Sequence, residues 1–274
     1  TNSEELLYNS DPRDANSSNR PPSDINASNL TIAENSAIGT VIGEFNATDP
    51  DGDGNFNYAM HFDSLAIWLP FDESNGTTTT NYGSFSTNVS LLNGATFSSS
   101  EKRLGASAVR IPLSSETSRV EFTNAFPLGN IESSNDYSVS VWFKELYDFN
   151  QTISGWRTLI RNSTGSNYHI IAKNNSYELG THRGDWFGSG QILDPADSER
   201  DWQHLVAIFN GSSTKFFIDG ELLGSTQKSP GSNIKSVGNN YGDGKQQFAE
   251  YLDDFRVYTK VLTNEEISSL YYFS

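Results

Sequence analysis

Residues 204–224 read HLVAIFNGSSTKFFIDGELLG, and this run constrains the fold more than any other part of the chain. An apolar run ends at the turn Asn210-Gly211-Ser212-Ser213, a second follows, and the pair Asp219-Gly220 leads into a third. Asp-Gly accommodates the positive φ values of a two-residue hairpin, so the run predicts consecutive antiparallel strands. Two other segments use the same period of two. In DYSVSVWF (136–143), Tyr137, Val139, Val141 and Phe143 share one face, and Ser138, Ser140 and Trp142 the other. In YLDDFRVY (251–258), Phe255 and Val257 point inward if Asp254 and Arg256 point out. Only the C-terminus reads as helix. In LTNEEISSLYY (262–272), Thr263 and Glu266 form a capping box, followed by Ile267, Leu270 and Tyr271 on one face. A strand-rich chain that closes with one short helix is expected to be an all-β sandwich.

Charge narrows the partners. The 34 acidic against 18 basic residues give a net charge of −16, which argues against nucleic acid and anionic membranes, since both need clustered Lys and Arg. The same surplus suits divalent cations as well as plain solubility. The chain has no cysteine. An extracellular domain could use disulfides, so their absence means either a cytosolic address or a stabiliser of another kind, of which bound calcium is one. The sequence contains no signal-like segment and no apolar run long enough for a membrane helix. It begins at Thr1, and its single methionine is Met60, which leads us to expect a segment of a longer protein. Residues 1–20 are polar and aperiodic and read as a linker arm, closed by Pro21-Pro22.

Several chemistries are excluded. ATDPDGDG places Asp49, Asp51, Asp53 and Gly54 at EF-hand spacing, but the twelfth position is Met60, a poor ligand for a hard cation. His61, His169, His182 and His204 form no metal spacing, and no nucleophile elbow is present. EYLDDF (250–255) lacks the carboxylate spacing of a retaining glucanase, and Gln203-His204 are adjacent rather than spaced as in a lyase strand. The chain is expected not to be an enzyme.

Four phrases in order carry a resemblance over residues 68–271: WLPFDES, DYSVSVWFK, DWQHLVAIFNGSSTKFFIDGELLGS and YLDDFRVYTKVLTNEEISSLY. Together they resemble the laminin-G-like, concanavalin-A-like (pentraxin-type) jelly roll. That resemblance implies two packed antiparallel sheets, ligand binding, and a calcium ion at one edge. It implies Asp72 and Asp253 as the metal ligands, with Glu73 and Asp254 as supplements. Residues 19–60 are similar to the first strands of a cadherin-like repeat, through Glu34-Asn35, the Gly39 to Gly43 strand and Asp49-Pro50-Asp51. There the resemblance implies Glu34, Asp49 and Asp51 as calcium ligands, with Asp53 beside them. The expected organisation is thus an arm (1–20), a partial cadherin-like segment (21–61) and a jelly-roll domain (62–274). The pairing resembles modules of bacterial surface adhesins, which implies a secreted or cell-surface address and flanking domains in the same long chain.

Two Gly-flanked loops offer aromatic and planar polar groups of the kind sugars need. His182, Arg183, Asp185 and Trp186 lie in one, and Asn240, Tyr241 and Asp243 in the other. Trp186 could equally plug the end of the core. The first functional expectation is a calcium-dependent module that binds a glycan or a cell-surface protein. The alternative is a calcium-rigidified spacer without ligand, and a polysaccharide-active enzyme comes third.

Overall fold

The computed structural model describes residues 24–27, 45–48, 64–128, 136–147, 155–163, 167–173, 176–229, 233–240 and 245–272. The chain forms two compact units, residues 1–61 and 62–274. In the first, β1 (Asp24–Ala27) pairs antiparallel with β2 (Phe45–Thr48), Asp24 opposite Thr48 and Ala27 opposite Phe45. The expected ligands Glu34, Asp49, Asp51 and Asp53, the cadherin-like reading built on them, and the arm 1–20 lie outside the described residues.

The second unit is a sandwich of two antiparallel sheets. One is built from β14 (Gln203–Asn210), β15 (Thr214–Ile218), β16 (Glu221–Thr226), β9 (Asp136–Leu146), β18 (Ala249–Tyr258), β7 (Ala108–Arg110) and β6 (Thr96–Ser98). Its order is β16-β15-β14-β9-β18-β7-β6, with β3 (Leu65–Leu69) also on β18. The other sheet contains β13 (Trp186–Ile192), β12 (Glu178–Arg183), β11 (Asn167–Ala172), β10 (Arg157–Arg161), β17 (Asn233–Val237), β8 (Arg119–Pro127), β5 (Val89–Leu92) and β4 (Thr78–Thr79), in that order.

The sequence alternation is the reason the sheets pack. Leu205 sits opposite Val141, and Ala207 opposite Val139. Tyr137, Val139, Val141, Phe143, Leu205, Ala207 and Phe209 all enter one buried apolar core between the sheets. Asp219 and Gly220, at φ 51° and 83°, make the two-residue turn that sets Ile218 opposite Glu221. Asp219 further closes the meander by accepting from the His204 backbone N–H at 2.7 Å.

The opposite face of this sheet is not left to solvent. Val206, Ile208 and Phe217 form a second cluster with Leu262 and Ile267, the latter on α2 (Asn264–Tyr272). Burying Ile267 is worth about 1.5–3 kcal/mol. The capping box forms as read: Thr263 N–H donates to Glu266 Oε2 at 2.9 Å, and Glu266 N–H to Thr263 Oγ1 at 3.2 Å. Trp142 and His204 are buried on the same face, their rings stacked 4.7 Å apart. Tyr271 of the helix stacks 5.8 Å from Trp142, and the Arg103 guanidinium lies 4.3 Å over the indole. His204 is thus a packed histidine that meets Ser140 Oγ at 2.8 Å.

One expectation is corrected. Helix is not confined to the C-terminus, because α1 (Pro195–Arg200) forms as well. Asp194 caps it by accepting from Ala196 N–H at 2.9 Å, and Pro195 fits its first turn. Six residues carry no apolar periodicity to read.

Candidate functional site

Two constellations gather the expected site residues, and they are separate. The first is a carboxylate junction at which β18 changes neighbours. Tyr251 and Leu252 pair with Arg110 and Val109 of β7, whereas Phe255 to Tyr258 pair with β3. Asp253 and Asp254 fall in the gap, beside a break in the pairing with β9. Asp254 takes a left-handed φ of 49°, which Asp tolerates better than most residues. Phe71, just before Asp72, sits at φ 60°.

Here carboxylates replace the missing ladder partners. Asp253 Oδ2 accepts from the backbone N–H groups of Arg103 and Leu104 at 2.8 and 2.9 Å. Asp72 Oδ1 accepts from Ala106 N–H at 2.5 Å and Ser107 N–H at 3.4 Å. Gly105 between them is at φ 57°, and a Cβ there would stand 2.0 Å from Asp72 Oδ1. Ser107 Oγ donates to the carbonyls of Phe71 and Glu73 at 2.6 and 2.8 Å. Asp254 accepts from Trp68 Nε1 at 2.8 Å and pairs with Arg256 at 2.8 Å. Segment 103–107 is therefore stitched to the start and the end of the domain at once.

Burial pushes the Asp253 carboxyl up to about 7, against the pull of the Leu104 and Arg103 amides, and neighbouring Asp254 raises it further. Asp253 Oδ1 and Glu73 Oε2 are buried without a hydrogen-bond partner, while Glu73 Oε1 accepts from Thr80 N–H at 2.8 Å. Orphaned buried carboxylate oxygens suit a hard cation. Among the described residues, however, no three Asp, Glu, His or Cys side chains converge into a metal cluster. A cation held here would have to complete its shell with carbonyl and water oxygens.

The second constellation is an aromatic face on β10–β13. Register places His182 opposite both Tyr168 and Trp186. Trp156 lies 5.3 Å from Trp186, ring to ring, and 6.4 Å from His182. Tyr168 meets His182 edge-on at 5.6 Å. All four rings are half-buried. Gly180 and Gly188, cross-strand partners, form the slot for Trp186: a Cβ on Gly180 would stand 2.5 Å from its Cη2, and one on Gly188 3.0 Å from its Nε1. Cations stand over the same rings. Arg161 Cζ is 4.7 Å from the centre of Tyr168, and Lys173 Nζ 5.8 Å from Trp186.

Of the expected loop residues, His182 and Trp186 join this face. Asn240 is buried, and its Oδ1 accepts from Arg161 Nε at 2.5 Å, so it holds the guanidinium from behind. Arg183 and Asp185 build the β12–β13 turn: Arg183 N–H donates to the Asp185 carbonyl at 3.0 Å, and Asp185 Oδ1 accepts from Trp186 N–H at 2.8 Å. Tyr241 and Asp243 lie outside the described residues. Sequence reasoning missed Trp156, Tyr168, Arg161 and Lys173. They come from separate strands, and only the pairing register brings them together.

Two antiparallel sheets packed as a sandwich define a concanavalin A-like β-domain, and comparison with known proteins agrees. Residues 114–268 match a laminin-G family model described as the concanavalin A-like lectin/glucanases superfamily, and the chain belongs to that superfamily. No curated protein matches it. Among solved structures it is similar to domain 4 of AbnA, an extracellular GH43 arabinanase from Geobacillus stearothermophilus, solved with arabinotriose. That match has 16% identity and a TM-score of 0.55 over 76% of this chain and 98% of that one. It is also similar to the binding domain of botulinum neurotoxin serotype D, at 18% identity and TM-score 0.53 over 76% of this chain and 51% of that one. A Trypanosoma rangeli sialidase matches at 12% identity and TM-score 0.52, over 89% of this chain and 36% of that one. The chain thus spans about half of the toxin domain and a third of the sialidase. Identities this low establish the fold alone.

Proposed function

We propose that this chain is a glycan-binding module whose ligand stacks on the aromatic face of β10–β13, as part of a larger secreted or surface protein with an adhesive role. The observation that carries the reading is Trp186, laid across two cross-strand glycines and flanked by Trp156, His182 and Tyr168. A ring-lined face with polar groups at its margin suits the apolar face and hydroxyl edge of a sugar. The arabinotriose complex of a structurally similar domain is consistent with it. Binding rather than catalysis fits a face that presents rings and cations over its strands. Among the described residues no helix is long and apolar enough to cross a membrane.

Calcium enters the proposal as a structural ion at the carboxylate junction, with Asp72 and Asp253 as ligands and Glu73 and Asp254 in support. The partnerless Asp253 Oδ1 and Glu73 Oε2 support that assignment. The ion would neutralise buried carboxylates and tie the first strand of the domain to its last. Calcium at Glu34, Asp49, Asp51 and Asp53 remains part of the proposal on sequence grounds.

A glycan array probed with the purified chain in millimolar calcium, in chelator, and as Trp186→Ala tests the reading. Hits that vanish in Trp186→Ala support it. An array without hits, together with a melting temperature that still falls in chelator, would favour the spacer role instead.

A further inference from the structure

We infer that the saccharide taken by this face is an acidic one, whose carboxylate is received by Lys173 while its ring stacks on the indoles, with Arg161 a second cation farther along the face over Tyr168; the inference rests on the glycan reading above. Acidic residues outnumber basic ones 34 to 18, so most cations should find carboxylates nearby, and many do. Arg110, Arg119, Lys144, Lys235, Lys245, Arg256 and Lys260 each form an ion pair with an Asp or Glu. Among the described residues, neither Lys173 nor Arg161 has a carboxylate within ion-pair distance, and Lys102, Arg103, Arg183, Lys215 and Lys228 likewise have none; what distinguishes the first two is their place over the rings of the aromatic face.

Arg161 is held instead by neutral acceptors. Its Nε donates to Asn240 Oδ1 at 2.5 Å, and its Nη1 to the carbonyl and side-chain oxygens of Asn162, both at 2.8 Å. Amide oxygens fix the guanidinium without neutralising it, and Nη2 is left for another acceptor. Lys173 reaches over Trp186 with its ammonium 5.8 Å from the ring centre. A cation parked on a ring keeps its charge at the surface that a stacked sugar would occupy.

The chemistry that answers this arrangement is a pyranose ring bearing a carboxylate: an apolar face for the indoles and an anion for the Lys173 ammonium. A neutral sugar leaves the cations unused, and an acidic peptide lacks a flat face. Glu178 brings a carboxylate to the same strands, beside Gly188 and the Trp186 Nε1 edge, with its Oε1 accepting from Gly190 N–H at 3.0 Å; that charge opposes an anion at the indole edge, so the acidic group must be received on the Lys173 side. The net charge of −16 does not oppose binding at contact range, because charges beyond about 8 Å are screened at physiological salt.

The test uses the whole chain and a printed panel of oligogalacturonate, alginate oligomers and sialyllactose, each beside its carboxyl-reduced form. The probes are the wild type, Lys173→Gln and Trp186→Ala, with melting temperatures as the folding control. We expect an acidic member to bind about tenfold more tightly than its reduced form, the scale of one hydrogen bond to a charged group. Lys173→Gln should remove most of that preference at an unchanged melting temperature. Equal binding of acidic and reduced forms, lost in Trp186→Ala, would overturn the acidic inference and leave the glycan reading standing. Binding of neither form, or binding indifferent to Trp186→Ala, would overturn both.

Discussion

Taking the pH from about 7 down to about 4.5 lets the unfolded chain take up a proton that the buried His169 refuses, and the cost can be worked from its surroundings. The ring is fully buried, 5.9 Å from each of Tyr137 and Phe209. Nε2 lies 2.9 Å from the Asn233 carbonyl oxygen, so it carries the hydrogen, and Nδ1 accepts from the Tyr137 hydroxyl at 2.5 Å. Burial lowers the His169 pKa from 6.5 to about 4; the Asn233 carbonyl opposes the fall and Arg161 adds to it. The unfolded chain takes up the same proton near the ordinary imidazole value of about 6.5. Because the folded-state pKa is the lower one, the stabilisation is whole above that value and drains away as the pH falls toward the folded pKa. Between about pH 7 and 4.5 the loss comes to about 2 kcal/mol. For a domain of this size that is about 4–8 °C in melting temperature. Thermal unfolding followed by circular dichroism, for wild type and His169→Gln at both pH values, isolates this share. Carboxylates and His204, whose own pKa burial lowers to about 3, cancel in the difference. A His169→Gln protein that loses as many degrees as wild type would refute the reasoning, as would a folded-state NMR titration of His169 near its unperturbed value.

Three further outcomes follow from the junction and the helix. Gly105→Ala forces a β-carbon against Asp72 Oδ1 at positive φ, so it should lower stability by more than about 1 kcal/mol, read as a fall in the denaturant midpoint. Thr263→Ala removes the hydroxyl that accepts from Glu266 N–H and should cost about 1 kcal/mol, measured in the same way. If calcium sits at the junction, millimolar calcium should raise the melting temperature of the wild type, and Asp253→Asn should abolish the rise. Its amide oxygen can still accept from Arg103 and Leu104, so that variant should fold. A rise that survives in Asp253→Asn would place the ion elsewhere.

The sandwich was legible where alternation was strict. Tyr137 through Phe143 and Leu205 through Phe209 state which face is inside, and Asp219-Gly220 states where the chain reverses. The carboxylate junction was half legible. Asp72 stands out as an acid just past one apolar strand and Asp253 as an acid inside another, yet nothing local announces that residues 103–107 supply the amides they bind. The aromatic face was the least readable. Trp186 shows in a Gly-flanked loop, but Trp156 and Tyr168 reach it only through pairing between strands, and bulges in β10–β13 shift the register that parity would assume. Asn240 illustrates the converse: a polar loop residue that looked ligand-facing is buried behind Arg161.

The five tryptophans provide the most direct test of the central claim, because each indole N–H gives its own resonance. The chain would be titrated with the strongest hit of the glycan panel while the indole signals of Trp68, Trp142, Trp156, Trp186 and Trp202 are followed by NMR. A ligand stacked on the β10–β13 face must move Trp156 and Trp186 and leave Trp142, buried under Arg103 and Tyr271, in place. A panel without a hit, or a titration in which Trp156 and Trp186 stay still, would contradict the account.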